Sequence, residues 1–396
     1  MTETDRIAAA TQHLREGRAE AALPLLEALL DAAPERVDAL HLLGIAHGQL
    51  GRFDAALPLL ERAAALRPDE AAIHNNFGNT LAGVERDADA VAAFDRALAL
   101  QPRHAMAWRN RGAALRRLGR LTDALDSFER ALAIDAGFVD ALIGKADALE
   151  AMLRRREAIE TLHAALDAGA DPDSVGYTLA TLGAGTQPDA TPPEFVRKLF
   201  DDYAGRFDKH LVDRLEYRVP EMIAQALQDA GVPAGLDVVD LGCGTGLCGP
   251  LLRARAGRLV GVDLSAGMLT KARLRGVYDD LVDGEIVEWL GARRAAFDLA
   301  VAADVLIYLG DLGRLFGPMA GALRPRGWFA FSVEDWVDGD FGLKASGRYG
   351  HAARYLRAVA AEHGFEVLSL TQQVLRREST QAIDGHVVVL QRNGGT

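Results

Sequence analysis

The sequence predicts a two-domain protein, with an all-α array of repeated helix pairs followed by an α/β domain with a mostly parallel sheet. Three observations predict this. Proline recurs at a spacing of 34 residues in the N-terminal half, at Pro34, Pro68 and Pro102. A glycine-rich stretch, 242–246, joins a strand-like run to a helix-like one, and such runs then alternate toward the C-terminus. The length of 396 residues suits about two domains.

Composition indicates a globular protein of a reducing compartment. Hydrophobic residues make up 49% and charged residues 25% of the chain, and the net charge of -12 disfavours a general nucleic-acid binder, although a local basic groove stays open. Cys243 and Cys248 are too few for a disulfide framework and form a poor zinc site, so no metal is expected. No secretory signal or membrane-length apolar run occurs, so we expect a cytoplasmic protein without a membrane partner.

The 34-residue period carries columns of small and of large residues. The small columns include Gly44, Gly78 and Gly112, and Ala22, Ala56, Ala90, Ala124 and Ala158. The large column is Leu26, Leu60, Phe94, Phe128 and Leu162. Small residues let two helices approach closely while large ones fill the space beside them. Because each unit has two apolar faces, neighbouring units must stack to bury both.

These columns resemble the tetratricopeptide repeat family. The unit 71–104 matches the family pattern at Phe77-Gly78, Ala90, Phe94, Ala97 and Pro102. The unit 105–138 departs from it at Ala136, where proline is expected, and the unit 139–172 has Ala146 in the glycine column. We expect about five units, which with a helical cap form a solenoid domain over 3–182. The agreement of so many columns disfavours an unrelated helical array.

The resemblance implies a concave face that binds an extended segment of a peptide or protein partner. It places on that face Asn76, Asn79, Arg109 and Asn110. Side-chain amides can bond both the N–H and the C=O groups of a bound backbone, and arginine can hold an acidic group. A solvated polar face used for spacing or self-association is the alternative, and the sequence does not decide between the two.

A linker is predicted at 183–193, where glycine and proline are dense, with the second domain over 194–396. Its predicted strands are Leu236–Leu241, Leu259–Val262, Phe297–Ala303, Trp328–Val333 and a terminal pair, Phe365–Leu375 and His386–Gln391. Helices are predicted near 247–256, 266–275 and 311–323.

The glycine loop 242–246 lets the backbone approach a ligand closely, which alone is a weak signal. Asp240, just before it, suits a cationic ammonium group and would repel the pyrophosphate of a dinucleotide. Asp263, at the end of the next strand, can accept both hydroxyls of a ribose. Asp263 alone also fits NAD, so Asp240 discriminates between the cofactors.

The run 240–246, Asp-Leu-Gly-Cys-Gly-Thr-Gly, resembles that of class I S-adenosylmethionine-dependent methyltransferases, and the likeness covers about 195–392. It implies a Rossmann-like, seven-stranded sheet whose last strand is antiparallel, and S-adenosyl-L-methionine as cofactor. The segment 200–208 resembles the leading helix of the ubiquinone- and biotin-pathway type, whose aromatics close over the cofactor. The residues so implied to bind the cofactor are Asp240, Gly242, Gly244, Gly246, Asp263, Leu264, Met268, Glu285, Ile286, Asp304, Tyr203 and Phe207. Glu285 departs from the aspartate usual there.

The sequence indicates the methyl acceptor less clearly than the cofactor. The Asn-Pro-Pro-Tyr type of motif is absent and 304–307 stands in its place, which disfavours DNA-adenine and glutamine acceptors. A polar cluster after the fifth strand, where this fold commonly borders the acceptor, offers His351 and then Tyr308 as general base. It offers as substrate contacts Arg348, Tyr349 and Arg376. The alternative for His351 is a helix start with a capping or solvated imidazole.

Taken together, the repeats and the cofactor core resemble a bacterial family of predicted methyltransferases with N-terminal tetratricopeptide repeats. The resemblance implies methyl transfer to a small molecule, or to a protein- or carrier-bound group that the repeats recruit. A cofactor-binding scaffold with little activity and an NAD oxidoreductase are the competing interpretations.

Overall fold

A computed structural model describes residues 2–203, 217–378 and 381–394. The chain divides into two compact units, residues 1–172 and 173–396. No helix in the described ranges is both long and apolar enough to cross a membrane.

The first unit is a continuous series of helices between residues 3 and 167, every residue of which is described. Five consecutive helix pairs fill it: α1 Glu3–Arg15 and α2 Ala19–Ala32, α3 Val37–Gln49 and α4 Phe53–Leu66, α5 Ala71–Gly83 and α6 Asp87–Leu100, α7 Ala105–Arg117 and α8 Leu121–Ile134, α9 Val139–Ala151 and α10 Arg155–Asp167. Each helix packs on the next, so the predicted solenoid is confirmed.

Packing between paired helices explains the residue columns. A Cβ atom added to Gly44 would lie 2.5 Å from Cγ of Leu60, and one added to Gly78 would lie 2.6 Å from Cε1 of Phe94. The five alanines of the repeated column have 0% exposure, and the five large residues have 1% or less. Glycine therefore recurs because the large side chain of the partner helix fills the space that a side chain would need.

The second unit alternates helices and strands. Its helices are α11 Pro172–Thr181, α12 Pro193–Tyr203, α13 Val219–Asp229, α14 Gly249–Arg253, α15 Ala266–Arg275, α16 Ile286–Gly291, α17 Gly313–Ala322 and α18 Ala353–Glu362. Its strands are β1 Leu236–Leu241, β2 Ala256–Asp263, β3 Asp280–Asp283, β4 Phe297–Ala302, β5 Leu323–Asp335, β6 Phe341–Leu343, β7 Tyr349–His351, β8 Phe365–Glu378 and β9 Gln381–Arg392.

Within the described residues these strands form one mixed sheet. Strands β3, β2, β1, β4 and β5 lie side by side in that order and are parallel, while β9 pairs antiparallel with β5 and with β8. The predicted α/β sheet with an antiparallel last strand is thereby confirmed. The additional strands β6 and β7 form a small hairpin beside the end of β5, where the sequence predicted only a polar cluster.

The predicted linker is part of the second unit's structure. The residues 183–193 have almost no regular secondary structure, as their glycines and prolines favour, yet the Thr191 N–H donates to the Tyr308 carbonyl at 2.8 Å. The Tyr349 hydroxyl donates to the Pro188 carbonyl at 2.7 Å. The preceding helix α11, predicted as a cap of the repeats, lies in this unit from Asp173 onward, and its Tyr177 bonds Gly347. Composition revealed the irregular backbone but not its partners.

Candidate functional site

A glycine loop follows β1 at the carboxyl end of the sheet. Gly242, Gly244 and Gly246 have φ angles of 60°, 55° and 85°, a region in which other residues are strained. A Cβ atom on Gly242 would lie 2.4 Å from Cγ2 of Val305. The loop therefore lies directly against the segment that follows β4.

Asp263 ties this loop to the end of β2. One carboxylate oxygen accepts the Gly244 N–H at 2.8 Å and the other accepts the Ser265 N–H at 2.9 Å. The residue is buried, and burial raises the pKa of its carboxyl group despite these two bonds. A carboxylate has lone pairs beyond the two used here, so Asp263 could still accept hydrogen bonds from a ribose. That contact stays a prediction, whereas the bond to Gly244 shows that Asp263 helps to shape the loop.

Asp240 lies on β1 with 1% of its surface exposed. The Tyr278 hydroxyl donates to its Oδ2 at 2.7 Å. Burial raises the pKa of Asp240 to about 7, the Asp263 carboxylate acts in the same direction, and the hydrogen bond from Tyr278 opposes them. A cation beside Asp240 would favour the ionised form, and the ammonium contact of Asp240 stays a prediction.

A small cavity opens on the loop. Its lining consists of Tyr217, Pro220, Asp240, Gly242, Cys243, Gly244, Thr245, Leu247, Cys248 and Ala303. Burial raises the pKa of both cysteine thiols, so they stay protonated and act as small apolar groups of the wall. The predicted residues Asp240, Gly242 and Gly244 are therefore brought together around one space, whereas Gly246 does not line it.

The helix α12 contacts the start of α15. Asp201 accepts from the Ser265 hydroxyl at 2.5 Å and from the Gly267 N–H at 3.2 Å, and Arg197 donates to the Leu264 carbonyl at 2.7 Å. These hydrogen bonds hold α12 against the start of α15, and its predicted closing over the cofactor stays a prediction. Two predicted cofactor residues of this segment fall outside what is described: Phe207 entirely, and Tyr203 in its side chain.

Two residues expected around the adenine differ in their surroundings. Met268 is fully buried in the core, which corrects its assignment to the adenine because it offers no surface to a ligand. Glu285 caps α16 by accepting the Glu288 N–H at 2.7 Å, while Ile286 beside it is 8% exposed. The Glu285 carboxylate already accepts a hydrogen bond from the helix backbone, and its contact with the adenine stays a prediction.

Asp304, just after β4, is held in the left-handed region at φ 54°. Its N–H donates to the Ser332 hydroxyl at 2.9 Å, and that hydroxyl donates to its Oδ1 at 2.8 Å. Arg376 on β8 donates to its Oδ2 at 3.1 Å and also bonds Glu334 on β5. Polar residues at alternate positions of the apolar strand β5 were the missed sequence signal for this network.

Comparison with known proteins supports both halves of this description. The tetratricopeptide repeat families match residues 75–137, and 13–75 with 115–181, and the methyltransferase domain family matches residues 239–331. The chain carries tetratricopeptide repeats followed by a methyltransferase domain. The matched methyltransferase residues run from β1 to β5 and include Asp240, Asp263 and Asp304.

Curated relatives differ in the molecule they act on. The chain is 28% identical to the biotin biosynthesis bifunctional protein BioHC of Teredinibacter turnerae over 49% of its length and 36% of the relative's. It is 36% identical to trans-aconitate 2-methyltransferase of Pseudomonas aeruginosa over 26% of its length and 37% of the relative's. It is also 36% identical to an Arabidopsis thaliana 18S rRNA (guanine-N(7))-methyltransferase, over 24% of its length and 32% of the relative's. The chain thus spans about a third of the length of these relatives.

The surroundings of the two predicted general bases, His351 and Tyr308, do not suit proton abstraction. His351 is fully buried, its Nε2 lies 3.0 Å from the Gly310 carbonyl, and burial lowers its pKa to about 4. Its ring stacks on Tyr355, which corrects our assignment because this packing makes the imidazole part of the core. Burial raises the pKa of Tyr308, so its hydroxyl keeps its proton at neutral pH.

The predicted substrate contacts separate into three environments. Tyr349 is fully buried and bonds Pro188, and Arg376 is 3% exposed between Asp304 and Glu334. Both are therefore structural in this arrangement, which corrects their assignment to the acceptor. Arg348 keeps 27% of its side chain exposed, 3.8 Å from Glu334, and remains the substrate candidate.

The repeat domain aligns its polar residues across neighbouring repeats. Asn76 lies 2.8 Å from Nε2 of His41, and Asn110 donates to Asn79 at 2.9 Å. Arg109 donates to Asp140 at 3.3 Å. The first helices of successive repeats are thus joined by a row of amide, imidazole and ionic contacts at the positions that the sequence predicted for the concave face.

Proposed function

We propose that the chain transfers the methyl group of S-adenosyl-L-methionine to an acceptor that its repeats help to recruit. The observation that carries the proposal is the pair of buried carboxylates, Asp240 and Asp263, at the ends of neighbouring parallel strands on either side of a glycine loop. An acidic Asp240 is compatible with an amino-acid ammonium and unfavourable for a pyrophosphate. The matched methyltransferase domain supports the same cofactor.

The chain's own residues would bind and orient the reactants. Asp240 and the loop would hold the amino-acid end of the cofactor, Asp263 the ribose, and Ile286 the adenine. The bound cofactor supplies an already activated methyl group, so positioning of the acceptor provides much of the rate enhancement. Since His351 is packed in the core and Tyr308 keeps its proton, we assign no general base to this site.

We further propose an anionic acceptor group near Arg348. Lys344 and Arg348, each with 27% of its side chain exposed, both approach the buried Glu334. The cationic Arg376 joins the same carboxylate, so three cations lie around Glu334 and Asp304. Two of the relatives act, by their names, on trans-aconitate or in biotin biosynthesis, whereas a third acts on rRNA guanine, so the acceptor must be found experimentally.

Calorimetry of the full chain with S-adenosylmethionine, S-adenosylhomocysteine and NADH tests the cofactor. We expect binding of the first two and none of NADH, and binding of NADH alone would refute the proposal. Transfer of a tritiated methyl group into a size-fractionated lysate of the source organism then shows whether the acceptor is a protein, a nucleic acid or a metabolite. Equal rates of methyl transfer by the wild type and by the Arg348→Met variant would refute the anionic-acceptor proposal.

For the repeats, we propose that Asn76, Asn79, Arg109 and Asn110 bind an extended peptide segment. The support is the row of half-buried and exposed amides on the successive first helices α5 and α7, which the imidazole of His41 extends to α3. Pull-down with Asn76→Ala plus Asn110→Ala should lose partners that the wild type retains. The matched control is Gln225→Ala, an amide of the second unit that bonds Asp229. Identical partners for wild type and double variant would favour a spacer role.

A further inference from the structure

Tyr278 lies in the connection between α15 and β3, in no recognised motif. Its hydroxyl reaches back 38 residues to donate a 2.7 Å hydrogen bond to Oδ2 of Asp240. Its ring is half-buried and packs against the hydrophobic cluster that contains Val238 and Leu252. A buried carboxylate that lines the cofactor cavity therefore has a specific donor from outside the matched loop.

The ring occupies a slot that three glycines leave open. A Cβ atom on Gly246 would lie 2.9 Å from Cε2 of Tyr278, one on Gly249 would lie 3.0 Å from it, and one on Gly261 would lie 3.1 Å from Cδ1. Gly261 is the residue of β2 that pairs with Asp240 in the sheet. The missing side chain at Gly261 thus makes room for the ring next to the carboxylate, and close packing holds the hydroxyl at its acceptor.

We propose that Tyr278 is a positioning residue of the cofactor site, whose hydroxyl orients the Asp240 carboxylate at the cavity and stabilises the ionised form that a ligand ammonium needs. The inference rests on the proposed function, because it takes the bound ligand to carry an amino-acid ammonium group. It assigns to Tyr278 no contact with the ligand itself.

The other groups around Asp240 do not supply this stabilisation. The Asp263 carboxylate on β2 acts in the opposite direction, because its charge raises the pKa of Asp240. Cys243 and Cys248, from the loop and its exit, are protonated thiols because burial raises the pKa of each.

Two further elements complete the surroundings. Tyr217, preceding α13, is also a neutral hydroxyl because burial raises its pKa. From the end of β4 comes Asp304, which is paired with Arg376 of β8. Burial raises the pKa of Tyr278 as well, so its hydroxyl keeps its proton and donates across the working pH range. The hydrogen bond from Tyr278 is the contribution that lowers the pKa of Asp240.

The test measures the affinity of the full chain for S-adenosylhomocysteine by calorimetry between pH 6 and pH 8.5, in wild type and Tyr278→Phe. Protonated Asp240 does not attract an ammonium group, so wild-type binding should weaken as the pH falls through about 7. Loss of the hydrogen bond should raise the pKa of Asp240 further, by about one unit. The ratio of the variant and wild-type dissociation constants should then be about tenfold at pH 6 and about twofold at pH 8.

The controls separate this role from simple packing. Tyr355→Phe removes the hydroxyl of a half-buried tyrosine that bonds Asp311 elsewhere in the same unit, and it should leave the affinity ratio near one at every pH. In an Asp240→Asn background, Tyr278→Phe should add no pH-dependent loss. A ratio that is the same at all pH values would overturn the inference and leave the proposed function intact. Failure of the wild type to bind S-adenosylhomocysteine at any pH would overturn the proposed function, and the inference with it.

Discussion

At the residue scale, the site depends on carboxylates whose protein contacts prepare them for a ligand. Asp263 accepts one hydrogen bond from Gly244 in the glycine loop and one from Ser265, which precedes α15. Asp240 is buried, and the hydrogen bond that it accepts from Tyr278 lowers the pKa that burial raises. Because each buried carboxylate must have partners, the same contacts that satisfy the charge also fix the shape of the loop.

Replacing Asp263 with alanine should remove both loop bonds and the predicted ribose contact. We expect the affinity for S-adenosylhomocysteine to fall by about 2 kcal/mol or more, because bonds to a charged group are worth about 1.5–3 kcal/mol. Calorimetry measures the loss, and circular dichroism checks that the fold persists. The control Asp280→Ala changes an exposed carboxylate at the start of β3 and should bind normally. An unchanged affinity for Asp263→Ala would remove our assignment.

At the element scale, β8 and β5 meet through a buried ionic network that spans the sheet edge. Arg376 reaches from β8 to Glu334 on β5 and to Asp304 after β4, although β9 lies between β8 and β5. The repeat helices are joined instead by apolar contacts in which Phe94 fills the place of a missing side chain at Gly78. Ion pairs thus join the strands at this edge of the sheet in the second unit, whereas close packing of apolar side chains joins the helices of the first.

Arg376→Met should be strongly destabilising. It leaves Asp304 and Glu334 without their shared cation, and breaking a buried ion pair costs about 3–5 kcal/mol. The free energy of unfolding from urea titration measures the effect. The matched variant Arg354→Met breaks an exposed pair with Asp340, in which the two side chains are 70% and 62% exposed, and should change it by less than about 1 kcal/mol. Equal losses for the two variants would contradict the buried network.

Gly78→Ala should strain the helix pair α5 and α6. Its added Cβ atom would meet Phe94 at 2.6 Å, and overpacking of this kind costs about 1–3 kcal/mol. Gly48→Ala, in α3, meets no heavy atom within 4 Å and should be neutral or stabilising, by up to about 1 kcal/mol. Urea unfolding of the full chain gives both values. A stabilising Gly78→Ala would refute the close approach.

At the scale of the whole molecule, the chain separates into units at residues 172 and 173, earlier than the glycine- and proline-rich stretch indicates. The segment 183–193 belongs to the methyltransferase unit because its backbone bonds Tyr308 and Gly310 and its Pro188 carbonyl accepts from Tyr349. A segment with low propensity for helix or strand is therefore held in place by tertiary hydrogen bonds.

Two truncations test this boundary. A fragment of residues 173–396 should bind S-adenosylhomocysteine with the affinity of the full chain. A fragment of residues 194–396 lacks α11 and the segment along Tyr308, and it should unfold at lower urea, since each lost bond contributes about 0.5–1.5 kcal/mol. Equal stability of the two fragments would show that the segment is a linker after all.

The sequence alone determined the repeats, the order of the main strands and the residues of the glycine loop, because each depends on periodicity or on neighbours along the chain. The columns through Ala90 and Phe94, and the run from Asp240 to Gly246, are of this kind. Only the tertiary structure decided that Met268 and His351 are core residues, and that Tyr278 faces Asp240. Burial and contacts between distant segments follow from how the elements pack together, and this packing leaves no signal in local spacing.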